Sequence, residues 1–139
     1  MSPYTPPGLE PRPERGQVVR VPIPRDKKRP AVVIRVDESA KRAIIVYFTS
    51  TESTSRGECI RITSGTRDFK ILGLEIDSFA YEGRGNISPS IRSVAFKHLS
   101  IEQRRCPAQL LIQLTHFVER ILPKMTEEQL REDLPDGPR

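Results

Sequence analysis

The chain has 139 residues, a formal net charge of +5 at pH 7, and a sequence pI of about 9.6. Hydrophobic residues make up 36% and there are 13 prolines, so one domain with a modest core is expected, and no apolar run reaches membrane-span length. Two cysteines, Cys59 and Cys106, with no CxxC or Cys/His cluster, argue against a zinc site; they read as reduced, inert thiols, and no metal or other cofactor is expected.

Residues 1–15 hold five prolines and almost no apolar periodicity, and read as a mobile N-terminal tail. The same prolines occupy the place where a signal peptide needs its apolar core, so a cytoplasmic protein is expected. Residues 17–23 alternate, with Val19, Val21 and Ile23 on one face, which predicts a half-buried strand. Pro22 and Pro24 donate no ladder hydrogen bonds, so its end is expected at an edge or a bend. A short loop, 25–29, carries Arg25, Lys27, Lys28 and Arg29. Residues 31–36 (AVVIRV) form a nearly continuous β-branched run, as a central strand does, and 43–48 (AIIVYF) form a third strand after the polar turn 37–42.

A hydroxyl-rich loop, 49–57, follows, beginning Thr49-Ser50-Thr51. Residues 59–63, 78–81 and 90–96 read as further strands, 64–68 as a turn, and 69–76 as ambiguous with a bend at Gly73. Ser100-Ile-Glu-Gln103 has the pattern of a capping box and predicts that a helix starts there. Leu110, Leu111, Leu114, Phe117, Val118 and Ile121 make one apolar helical face, ended by Pro123. Thr126-Glu-Glu-Gln129 suggests a short acidic helix within an acidic C-terminal tail, 124–139. The sum is a mainly β unit of six or seven short strands over 16–123, a partly open barrel closed or covered by a C-terminal helix.

The chemistry concentrates at two strand ends. From Arg20 to Arg29 there are five cations against Asp26 alone, a balance that suits a polyanion. Pro30 restricts Arg29 to extended backbone, which helps fix the direction of a guanidinium able to grip a phosphate or stabilise a phosphorane; a solvated edge charge is the competing reading. Arg25, Lys27 and Lys28 are a funnel for a single strand or an ordinary charged turn. Thr49, Ser50 and Thr51 are donors for phosphate oxygens or hydroxyls capping their own loop. His98 and His116 are the only imidazoles, and His116 reads as structural.

These residues carry a resemblance. Gly16-Gln17-Val18-Val19, a basic loop ending Arg29-Pro30-Ala31-Val32-Val33-Ile34, and a strand ending Phe48-Thr49-Ser50 resemble the MazF/PemK toxins. Leu74-Glu-Ile-Asp77-Ser78-Phe-Ala-Tyr81 is similar to their next strand pair, and the likeness extends over about residues 16–122. The resemblance implies an SH3-like small β-barrel of the kind shared with CcdB, usually a homodimer. It implies metal-independent cleavage of single-stranded RNA by attack of the substrate's own 2′-hydroxyl, neutralised by a cognate antitoxin with an acidic segment. Arg29 matches the catalytic arginine and Thr49 the catalytic threonine, with Arg25, Lys27, Lys28, Ser50 and Thr51 as RNA contacts. The chain departs from the pattern in its short loop before Arg29 and in Gln17 where the family has Asp, so the resemblance identifies no carboxylate base. A binding module without catalysis on the same barrel is the alternative. A gyrase poison resembling CcdB would need a C-terminal Trp, and the chain has none.

Overall fold

A computed structural model describes residues 12–24 and 27–137. Seven strands form two antiparallel sheets. β1 (Gln17–Pro22), β2 (Lys28–Asp37), β3 (Arg42–Tyr47), β6 (Ile91–Ala95) and β7 (Ser100–Arg105) build a five-stranded sheet in the order β6-β3-β2-β1-β7. β4 (Cys59–Ile62) and β5 (Ser78–Tyr81) form a two-stranded sheet. β2, the most apolar run, is flanked on both sides, as its β-branched composition requires. The β2–β3 turn is fixed by Asp37, whose carboxylate accepts from the Ala40 N–H at 3.1 Å and the Ser39 hydroxyl at 2.8 Å. Those two bonds, the Ala40 one first, hold its carboxyl below the usual range.

Alternation along the strands divides the core in two. Val18, Val32, Val46 and Phe48 face the buried side of α2 (Ala108–Ile121), which contributes Leu110, Leu114, Phe117, Val118 and Ile121. Val19, Val21, Ala31, Val33, Ile45 and Tyr47 form the other cluster, with Phe96, Leu99 and Leu134. Cys106 is buried in the first cluster; burial, with a smaller contribution from the Asp68 charge, pushes its thiol up to about 12. It is chemically quiet for that reason.

Three expectations need correction. The helix does not begin at Ser100: residues 100–105 are β7, paired with β1 through Arg20↔Ser100 and Val19↔Ile101. β1 would otherwise expose a ladder of unpaired amides, and this need outweighs a local capping pattern. Helix α2 starts only after Pro107, which stands at its N-cap. Residues 67–71 form a short helix, α1 (Arg67–Ile71), capped by the Thr66 hydroxyl, and 74–77 are a bend rather than strand.

The acidic C-terminal stretch is no loose tail as far as residue 137. α3 (Glu127–Arg131) opens with a capping box between Thr126 and Gln129 and packs on β6. Leu134 is 0% exposed in the second core cluster. Arg42 pairs with Asp136 at 2.8 Å. The buried guanidinium of Arg92 donates to the carbonyls of Pro89, Ile91 and Glu132 at 2.6–2.9 Å and lies over the Tyr47 ring. Of the N-terminal tail, residues 1–11 lie outside the described residues. Among the described residues no helix is long and apolar enough to cross a membrane.

Candidate nucleic-acid interface at the sheet corner

The register of β2 and β3 brings two distant residues together. Ala31 faces Tyr47, and continuing that antiparallel register two residues back on β2 and two on from β3 sets Arg29 opposite Thr49. The period of two puts both on the same side as Ala31 and Tyr47. The pairing continues beyond the formal end of β3, because the Phe48 N–H donates to the Pro30 carbonyl at 2.9 Å. At the next residue the chain changes partners: Thr49 exchanges both backbone hydrogen bonds with Phe79 of β5, at 2.9 and 2.8 Å. Thr49 is therefore the corner at which the two sheets join, and its backbone is held on the β5 side while Phe48 is held on the β2 side.

The side chains meet at this corner. Arg29 donates from Nε to the Ile23 carbonyl at 2.8 Å and from Nη1 to the Thr49 hydroxyl at 3.4 Å. The first bond orients the guanidinium plane; the second is long and weak. The same Thr49 oxygen accepts from the Thr51 N–H at 3.3 Å. With both lone pairs engaged, the hydroxyl hydrogen is what this group has left to donate. Thr49 is 3% exposed, so its hydroxyl is covered rather than in the open.

On the opposite face of the same strand ends lies an open cleft of about 180 Å³, which Arg29 borders. Arg20, Lys28, Arg29 and Ser50 line one part of it, and Leu74, Glu75 and Ile76 another. Three cations against one carboxylate give it a positive character. Lys28 is exposed and its Nζ donates to the Ser100 hydroxyl at 2.7 Å, a neutral partner that leaves its charge uncompensated.

The expected site residues therefore separate. Lys28 and Ser50 line the cleft, whereas the Arg29 side chain, which touches Thr49, lies on the other face of the strands and Arg29 only borders the cleft. Lys27 and Thr51 are exposed but do not line it; Thr51 contributes its backbone N–H to Thr49. Arg25 lies outside the described residues. Neither His98 nor His116 lines the cleft. Asp77 accepts from the Ser64 N–H at 2.7 Å and shapes a turn.

The loop that follows Thr49 is pinned from below. The Tyr81 hydroxyl donates to the Thr51 carbonyl at 2.9 Å and accepts from the Ser53 N–H at 2.7 Å. Arg61 pairs with Glu52 and lies over the Phe79 ring at 5.1 Å. Residues 49–53 are thereby tied to the second sheet through several contacts.

Sequence reasoning missed the wall supplied by 73–78. Gly73 marked a bend, but only the α1 turn carries Leu74, Glu75 and Ile76 back to the first sheet. Ile76, between Glu75 and Asp77, is left 59% exposed there, and no local sequence signal marked it. Arg92, by contrast, is structural: it anchors the C-terminal segment. Among the described residues no group of three or more His, Cys, Asp or Glu side chains is arranged to hold a metal ion.

No protein-family model matches the chain, and no curated protein matches it significantly.

Proposed function

We propose that the protein is a toxin-type endoribonuclease that cleaves single-stranded RNA without a metal, using the 2′-hydroxyl adjacent to the scissile phosphate as nucleophile. One observation carries this reading: the Arg29 guanidinium is braced by the Ile23 carbonyl and the Thr49 hydroxyl at the corner where the two sheets join. Arg29 offers N–H donors to the two nonbridging oxygens of the phosphate and stabilises the added charge of the phosphorane. Lys28 and Arg20 hold flanking phosphates. Ser50 donates a further hydrogen bond from the cleft wall.

Thr49 acts through Arg29 in this account. Its hydroxyl fixes the guanidinium, and its corner position ties that geometry to the second sheet. The β3-to-β5 exchange at Thr49 also supports closure of the two sheets as an SH3-like barrel. A homodimer, and an antitoxin whose acidic segment covers the cations, complete the proposal by resemblance to the MazF/PemK toxins, together with a cytoplasmic site of action.

The burial of Thr49 favours a second reading, a module that binds RNA without cutting it. End-group analysis separates the two. Mixed-sequence RNA incubated with the protein in excess chelator should yield fragments with 2′,3′-cyclic phosphate and 5′-hydroxyl ends. Arg29→Ala should lower the rate by about 10²–10³-fold, the cost of losing one such donor. Binding without fragments leaves the module.

A further inference from the structure

The sheet face that carries Arg29 and Thr49 runs on into a second cavity. Tyr47 precedes Thr49 by two residues and lies on the same side. It lines an open pocket of about 260 Å³, together with Arg56, Asn86, Ser88, Glu132 and Asp133. The polar groups there are held in place but little used. Arg56 is half-buried and lies over the Tyr81 ring at 5.5 Å, yet among the described residues its guanidinium makes no hydrogen bond or ion pair. The side chains of Asn86, Ser88 and Asp133 have no hydrogen-bond partner among the described residues either. The Glu132 carboxylate has one long contact, 3.4 Å from Arg92, whose remaining bonds go to the carbonyls of Pro89, Ile91 and Glu132.

We propose that this pocket takes one nucleobase of the bound strand and selects adenine or cytosine over uracil, a role that rests on the RNA reading above. Arg56 and Arg92 stand against Glu132 and Asp133, so the pocket is close to neutral. That balance disfavours a phosphate and suits an uncharged group rich in donors and acceptors, as a base is. Arg56 supplies a guanidinium plane on which an unstacked base of single-stranded RNA can lie. The Glu132 carboxylate accepts from the exocyclic amine of adenine or cytosine. The Asn86 amide offers a donor and an acceptor to the base edge beside that amine. Uracil places a carbonyl oxygen where the amine would be, and oxygen against carboxylate leaves both unpaired. Glu132 and Asp133 lie beyond residues 16–122, over which the MazF/PemK likeness runs, so the resemblance does not supply this pocket.

The test measures equilibrium binding of 2′-O-methyl oligomers that cannot react: an all-uracil strand, and the same strand with one adenine or one cytosine at its centre. Wild-type protein should bind the substituted strands about tenfold more tightly, the effect of one good base-edge contact. Asn86→Ala and Glu132→Gln should each remove most of that preference and leave affinity for the all-uracil strand near the wild-type value. Both should fold, which circular dichroism and urea unfolding check. Gly85 takes the positive φ beside Asn86, and Glu132→Gln keeps the backbone carbonyl that holds Arg92. Mapped cut ends in mixed-sequence RNA should show adenine or cytosine at one fixed position from the cut, and Asn86→Ala should blur it. Equal binding of the three strands by wild type, or a preference that both variants retain, overturns the pocket, and cleavage with cyclic-phosphate ends then leaves the nuclease reading standing. A preference that the variants lose, in a protein that cuts nothing, keeps the pocket and overturns the nuclease.

Discussion

At the scale of single residues, the decisive feature is an arginine whose two ends have different duties. Nε of Arg29 is committed to the Ile23 carbonyl, while Nη1 reaches the Thr49 hydroxyl. A lysine could reach either place but not both, because it lacks the planar fork. Thr49 then separates orientation from binding. Thr49→Val keeps the shape and removes the hydroxyl, so the guanidinium loses its second brace. The expected outcome is a fall of about 10-fold in kcat with KM nearly unchanged, the pattern of an interaction felt mainly in the transition state. Thr49→Ser should restore most of the rate. A matching rise in KM for Thr49→Val would mean that the hydroxyl holds the substrate directly.

At the scale of elements, most of what the periodicities promised is present, and the failures have a common cause. The runs 17–23, 31–36 and 43–48 are strands because alternating or continuous β-branched residues are buried on two faces, a local signal. The apolar face 110–121 is equally local. The pairing of Arg29 with Thr49 was legible too, since both flank strands joined by a short turn. Residues 100–105 were misread because SIEQRR has no strong preference, and the open side of β1 decides its conformation. Glu75 was hidden for the same reason: only the path of α1 brings it to the cleft. The C-terminal segment shows tertiary control again, since one buried leucine between two ion pairs turns an acidic tail into part of the core. Leu134→Ala should cost about 2–3 kcal/mol in urea unfolding, the low end for a buried leucine because a terminal segment can settle into the gap. The pH dependence has a defined sign. Burial works to raise the Asp136 carboxyl, but the Arg42 hydrogen bond and charge outweigh it and hold it below the ordinary value of 3.8. The pair therefore stabilises the fold above about pH 4 and is lost as pH falls through the depressed pKa. Asp136→Asn should remove that acid-side component, worth at most about 1 kcal/mol for a partly exposed pair.

At the scale of the whole molecule, the net charge of +5 understates how the charges are arranged. Glu132 and Asp136 meet Arg92 and Arg42 around β6, at one edge of the five-stranded sheet, so these acids are neutralised away from the cleft. Arg20 and Lys28 line the cleft on one face of β1 and β2, and Arg29 lies at the same strand ends with its side chain on the other face. Binding to single-stranded RNA should then depend on a few phosphate contacts. For three contacts, counterion release predicts a slope of log K against log salt of about −2, from roughly −0.7 per phosphate on a single strand. Lys28→Ala should make that slope shallower by about 0.7 and weaken binding similarly for every sequence, because its ammonium acts as a point charge. Its Ser100 partner is neutral, so removing Lys28 leaves no charge unpaired and the fold should be unaffected. A titration of a 2′-O-methyl oligomer between 50 and 300 mM salt measures both quantities. A slope near zero would mean that these three cations do not contact a phosphate backbone, and the cleft would then have to be read as a site for a smaller anion or for an acidic side chain.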